Sequence, residues 1–178
     1  MKTIASILLS AALASSCLAG SSSFSKNPVV TPPQTPCFGP GFDLGLFGGG
    51  FLPQHKSDSY DNTLGGGALA EYFFNENFGI QVSYGAYATR SAQHLFNADL
   101  ILRAPLHSIC LAPYLMLGGG YQVDGEKLGE YHAGIGLEYK IKSMQNLGVF
   151  TDGAYYRHSS DSRDSDFTLV RLGVKFRL

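Results

Sequence analysis

Few residues in this chain have the types and spacing that chemistry uses. His158-Ser159-Ser160 places a base two residues from a hydroxyl. A nucleophilic serine needs such a base, together with an orienting acid in hydrogen-bond reach. Asp161, Asp164 and Asp166 offer oxygen ligands of the kind divalent cations take, but their spacing is not that of an EF-hand and Arg163 stands among them. His55, His94, His107 and His132 form no ligand motif. The glycine runs at 48–50, 65–67 and 118–120 lack the strand-to-helix setting of a phosphate loop. Cys37 and Cys110 stand far apart in sequence, so any pairing between them depends on the fold.

The charges are more informative, because they alternate with apolar residues. In 170–178, Val170, Leu172, Val174, Phe176 and Leu178 interleave with Arg171, Gly173, Lys175 and Arg177. Successive strand residues point to opposite faces, so one face is apolar and the other carries glycine and charge. The same split sets Ala133, Ile135, Leu137 and Tyr139 against His132, Gly134, Gly136, Glu138 and Lys140. Across all the strands the polar face holds Asp43, Glu71, Asp99, Glu138 and Asp152, against Arg103, Lys140, Arg171, Lys175 and Arg177. An unpaired buried charge is costly, so matched signs suit a desolvated interior. Glycine is poorly placed on a solvated strand but fits an interior only just wide enough for side chains.

These residues are positioned by eight expected strands: 42–51, 63–74, 78–87, 95–104, 111–121, 131–141, 149–157 and 167–178. Each is close to the 9–11 residues a tilted strand needs to cross a bilayer. The links around 75–77, 105–110 and 142–147 are short. Those at 52–62, 122–130 and 158–166 are more polar and generally longer. Short turns at one end and longer loops at the other match a membrane barrel. With an even strand count, both ends of the barrel segment lie at the short-turn, periplasmic end. Cys37 and Cys110 fall there too, in an oxidising compartment, so a disulfide between them is expected. The alternatives are free thiols, or Cys110 buried as a small hydrophobe.

Residues 1–19 read as a secretory signal: Lys2, an apolar stretch, then small residues. Cys17 leaves with that segment or, if Ala14-Ser15-Ser16-Cys17 acts as a lipoprotein cleavage site, becomes lipidated. Residues 20–40, rich in serine and proline, read as an extended periplasmic lead-in. Residues 41–178 form the barrel. A formal net charge of −1 argues against nucleic acid as a partner. Gly 22, Tyr 10 and Phe 12 suit a narrow barrel with aromatic girdles, while the absence of Trp is against type. The fold class is therefore all-β: an eight-stranded antiparallel up-and-down transmembrane barrel.

The stretch from Glu71 to Ile80 (EYFFNENFGI), Pro113-Tyr114-Leu115 leading into Gly118-Gly119-Gly120-Tyr121, and Gly134 to Tyr139 (GIGLEY) are similar to segments of one superfamily. On these residues the chain resembles the small eight-stranded outer-membrane β-barrels, a group that includes the OmpA transmembrane domain and the OmpX-like proteins. The C-terminal strand resembles the signal read by the barrel-assembly machinery, except that Leu178 stands where an aromatic is usual. The resemblance implies a bacterial outer-membrane location, with membrane lipid and lipopolysaccharide as surroundings and no cofactor. It leaves three functions open. The first is a non-enzymatic structural or surface-interaction protein acting through its loops. The second is a narrow pore for ions or small solutes. The third is a lipid-modifying enzyme, because His158 and Ser160 resemble the pair in an eight-stranded lipid A deacylase. That enzyme also has a later Glu, and none follows Glu138 here.

Overall fold

The computed structural model describes residues 36–54, 62–88, 92–124, 126–144, 146–158 and 166–178, the side chains of 124 and 126–128 excepted. The expected signal segment, Cys17, lead-in residues 20–35, His55 and Ser160 lie outside them, as do Asp161, Arg163 and Asp164. Eight strands form one closed barrel: β1 (Gly41–Pro53), β2 (Thr63–Phe73), β3 (Phe78–Tyr87), β4 (Gln93–Arg103), β5 (Leu111–Asp124), β6 (Glu126–Lys140), β7 (Leu147–His158) and β8 (Phe167–Arg177). Every neighbouring pair is antiparallel, and β1 closes on β8 with Asp43 opposite Arg177 and Gly49 opposite Arg171. Closure leaves no free sheet edge, which is the condition for a sheet in hydrocarbon.

Alternation sets the two faces. Leu46, Leu64, Val82, Leu117, Ile135 and Leu172 are exposed, whereas Glu71, Arg171 and Lys175 are almost fully buried. A soluble domain would bury the leucines and solvate the ions. Here the apolar band faces outward, and outward aromatics bound it at both ends. Phe42, Tyr72, Phe74, Tyr139 and Phe176 lie toward the short turns, while Tyr84, Phe96, Tyr121, Tyr131 and Tyr155 lie toward the loops. On β6 the two girdles are set by Tyr131 and Tyr139, separated by about 27 Å of tilted strand. At a strand tilt of about 40° this projects to roughly 20 Å along the barrel axis, near the roughly 25 Å apolar band of a membrane barrel.

The interior is filled by pairing rings with glycines. Each of five inward aromatics lies directly across the ladder from an inward glycine: Phe47 from Gly67, Phe73 from Gly79, Tyr87 from Gly65, Tyr114 from Gly136 and Phe150 from Gly173. A Cβ added to any of these glycines would overlap its ring. The glycine face expected from the sequence is therefore the space into which the rings fold.

The turn at 75–77 is tight. The Asn75 side-chain oxygen accepts from the backbone N–H groups of Asn77 (2.9 Å) and Phe78 (2.8 Å). The link expected at 122–130 is instead ladder: β5 and β6 stay paired out to Asp124 opposite Glu126. Above the bilayer both faces of a hairpin meet polar surroundings, so pairing continues where the apolar alternation stops. The base of the barrel also differs from an extended lead-in. Residues 36–40 belong to the packed unit, and Phe38 within them is wholly buried.

Candidate functional site in the barrel interior

All nine of the strand residues assigned to an interior charge network (Asp43, Glu71, Asp99, Arg103, Glu138, Lys140, Asp152, Arg171 and Lys175) point into the lumen, each at most 4% exposed. They sort into levels along the axis because strand register staggers them. At the base, Lys140 Nζ lies 3.1 Å from Asp43 and 3.2 Å from Glu138. Lys175 Nζ donates to Glu71 at 2.8 Å and to Glu138 at 3.3 Å. Arg103 Nη1 stands 3.6 Å from Glu138, and its guanidinium lies 3.5 Å over the Phe73 ring. Arg177 joins from the rim through Asp43 at 3.3 Å, its side chain 20% exposed. The sequence pattern groups these residues as one face; the structure shows Glu138 bridging three cations.

The middle level is a bidentate pair. Arg171 Nε and Nη2 donate to the two Asp152 oxygens at 2.8 and 3.0 Å, and the Tyr114 hydroxyl donates to Asp152 at 2.8 Å. Planar guanidinium and carboxylate match in this geometry, which is the strong form of the interaction. Tyr114 reaches Asp152 because Gly136, between them on β6, leaves the ring room to lie flat.

Above this level no Lys or Arg enters the lumen among the described residues. Asp99 accepts from Gln81 at 3.0 Å and is hydrogen-bonded to His132. Asn97 fits with its amide nitrogen 3.0 Å from Glu130 and its oxygen accepting from the Tyr156 hydroxyl at 3.2 Å. His158 Nε2 lies 3.1 Å from Gln122 Oε1. Phe51, Phe167, Tyr156 and His132 then form a column of stacked rings, with successive centroids 4.3, 4.6 and 4.2 Å apart. Phe51 and Phe167 are almost fully buried, so the column fills the β6–β7–β8–β1 side of the lumen at the loop end. At the other end Phe38 covers Arg103 at 4.8 Å.

Cys37 and Cys110 are brought together at the base with Cα atoms 5.4 Å apart, inside the range a disulfide spans. The other chemistry-bearing residues are dispersed. His158 is the last residue of β7 and points into the lumen, not toward lipid. Asp166 accepts from the Tyr155 hydroxyl at 2.7 Å. His94 pairs with the Tyr84 hydroxyl at 2.7 Å, and His107 with Glu76 at 3.1 Å. Among the described residues no cluster of three or more His, Cys, Asp or Glu could hold a metal ion. Several interior residues lie outside the expected strands, among them Gln122, Glu130 and His158 in segments read as loops, and Phe38 before the first strand. Glu130 shares its parity with His132 and Glu138, but it falls in the segment read as a loop. Phe38 precedes the first strand and carries no periodic signal.

No protein-family model matches the chain, and no curated protein matches it. Solved structures do. The N-terminal β-barrel domain of Pseudomonas aeruginosa OprF aligns over 78% of this chain and 99% of its own, at 18% identity and TM-score 0.58. Neisserial surface protein A aligns over 77% and 97%, at 12% identity and TM-score 0.63. Ail, the attachment invasion locus protein of Yersinia pestis, aligns over 79% and 99%, at 16% identity and TM-score 0.51. At such identities the likeness is one of architecture, and it agrees with the exposed apolar band and the buried ions. The chain has the fold of the small eight-stranded outer-membrane β-barrels.

Proposed function

We propose that this chain is a non-enzymatic protein of the bacterial outer membrane, with a structural or surface-interaction role exercised through its extracellular loops. The observation that carries this reading is the filled lumen: three levels of ion pairs and hydrogen bonds, with Phe38 packed at one end and the Phe51–Phe167 stack at the other. An eight-stranded interior is too narrow for an open channel, and this one is occupied by side chains. The described surface grooves open outward, one over Thr151 and Gly153 beside Leu115, Ile135 and Leu137, the other over Ala98 and Gly119. Membrane lipid and lipopolysaccharide are the natural neighbours of such a surface. The C-terminal strand is the segment offered to the barrel-assembly machinery. Oxidation of Cys37 with Cys110 would tie residue 37 across the base to the β4–β5 turn. The structural neighbours include a Neisserial surface protein and an attachment protein, which supports a surface role.

Planar-bilayer recording on the purified barrel tests this reading against the pore. The expected trace stays at baseline, and reproducible unitary currents would replace the structural reading with a transport one. Lipid A mass spectra with and without expression, with Ser160→Ala as control, address the enzyme. They are expected to be identical; a shifted acyl pattern that the variant abolishes would establish catalysis.

A further inference from the structure

The base of the lumen is closed by a short strap that is not part of the sheet. Cys37, Phe38 and Gly39 precede β1, and each makes a different kind of attachment. Cys37 is joined to Cys110 in the β4–β5 turn, 73 residues away. Phe38 is 0% exposed, lying 4.8 Å from the Arg103 guanidinium with its ring 6.3 Å from that of His107. The Gly39 carbonyl accepts from Arg177 Nη2 at 2.9 Å and from Arg103 Nη2 at 3.5 Å. Arg103 is thus held between two rings, Phe38 on the outside and Phe73 on the inside, while its Nε donates to Glu76 O at 3.1 Å. The strap thus lies against Arg103 and Arg177, which belong with Asp43 and Lys140 to the basal charge level; Arg177, at the rim, stays 20% exposed.

Among the described residues its non-covalent hold is the buried Phe38 ring, against Arg103 and His107, and the Gly39 carbonyl, which accepts from Arg177 and Arg103. The receiving turn is itself in an unfavoured shape, since Cys110 has φ 54°, a left-handed conformation that residues with a β-carbon rarely adopt. The Cys110 carbonyl accepts from Lys140 N at 2.9 Å, so the turn is also coupled to the residue that pairs with Asp43.

We propose that residues 36–40 are a thiol-controlled plug: the Cys37–Cys110 bond holds Phe38 in the barrel base, and its reduction opens the short-turn end of the lumen to water. A dithiol reductant supplies two electrons and two protons. The S–S bond breaks, Cys37 and Cys110 become thiols, and the reductant closes to its own cyclic disulfide. Phe38 then leaves Arg103, and water enters as far as the Arg171–Asp152 pair. The Arg171–Asp152 pair and the Phe51–Phe167 stack beyond it are untouched, so the opened barrel holds a vestibule and not a channel.

Hydrogen–deuterium exchange on the whole folded barrel in detergent tests this. In the wild-type protein, dithiothreitol is expected to speed exchange about tenfold or more in peptides covering 37–43 and 103–111. Peptides covering 117–123 and 154–158, above the Arg171–Asp152 level, should be unchanged. The Cys37→Ser/Cys110→Ser double variant should exchange at the fast rate with or without dithiothreitol, while retaining heat-modifiable migration as evidence of a folded barrel. Alkylation should add to two cysteines only after reduction. Equal basal exchange in oxidised and reduced protein would overturn the proposal, since Phe38 and Gly39 would then hold without the bond. So would acceleration spread over all strands, or alkylation of both cysteines without reductant.

Discussion

Arg171→Met is expected to lower the unfolding free energy of the barrel in lipid vesicles by about 3–5 kcal/mol, because it strands the Asp152 carboxylate in a desolvated interior. Asp152 keeps one partner, the Tyr114 hydroxyl at 2.8 Å, and loses both guanidinium bonds. The cost lies in the unpaired charge more than in the missing pair. Replacing both members, Arg171→Met with Asp152→Leu, should therefore recover most of the loss. Reversible urea unfolding gives both numbers from the shift in midpoint. A single-variant loss below about 1 kcal/mol, the range of an exposed ion pair, would show that Arg171 is solvated.

The next residue along β8 carries the complementary prediction. Leu172 is 63% exposed and lies between the two aromatic girdles. Leu172→Arg is expected to cost about 2–4 kcal/mol, the depth-dependent penalty for a cation at the bilayer midplane. Leu52→Arg, on the outward face of β1 near the loop end, should cost about 0–1 kcal/mol, as expected near the interface. Adjacent positions thus respond in opposite senses. One fails when its charge is removed and its neighbour fails when a charge is added. On a soluble barrel of the same topology Leu172→Arg would be nearly silent, and equal effects at 52 and 172 would remove the membrane from the explanation.

The alternation that makes Arg171 and Leu172 opposites is legible in the sequence, and so is the strand count. A period of two in side-chain direction is imposed by the backbone wherever one face must be apolar. Asp43, Glu71 and Lys175 could be assigned to the lumen for that reason before any partner was known. Which ions meet is not legible, because partners such as Lys175 and Glu71 are 104 residues apart and depend on barrel stagger. Glu130 was obscured for a related reason. The apolar face ends at Tyr131, yet the β5–β6 hairpin continues above the girdle, where pairing needs no apolar stripe. Phe38 shows the opposite failure. It sits among Pro36, Cys37, Gly39 and Pro40, a composition that signals irregular backbone, and irregular backbone can still deliver a ring to a core. The glycine–aromatic pairs fall between these cases: the glycines marked a crowded lumen, but the ring opposite each is a matter of register.

Rings packed at both ends and pairing within make the lumen a core in the thermodynamic sense, built of ions and rings where a soluble protein would use leucines. The outward surface then meets the lipid, and the recognition role proposed above would fall to the loop end. This division of labour follows from the orientation of the strands and stands or falls with it.

The chain contains no Trp, so single tryptophans report without background. The decisive measurement is fluorescence quenching of Leu172→Trp, Ile135→Trp and Phe150→Trp variants folded into vesicles whose acyl chains carry bromine. Strong quenching at 172 and 135, with little at 150, is the predicted result. Strong quenching at 150 with bright emission from 172 and 135 would contradict the account, because it would put the buried ions of this barrel on its outside.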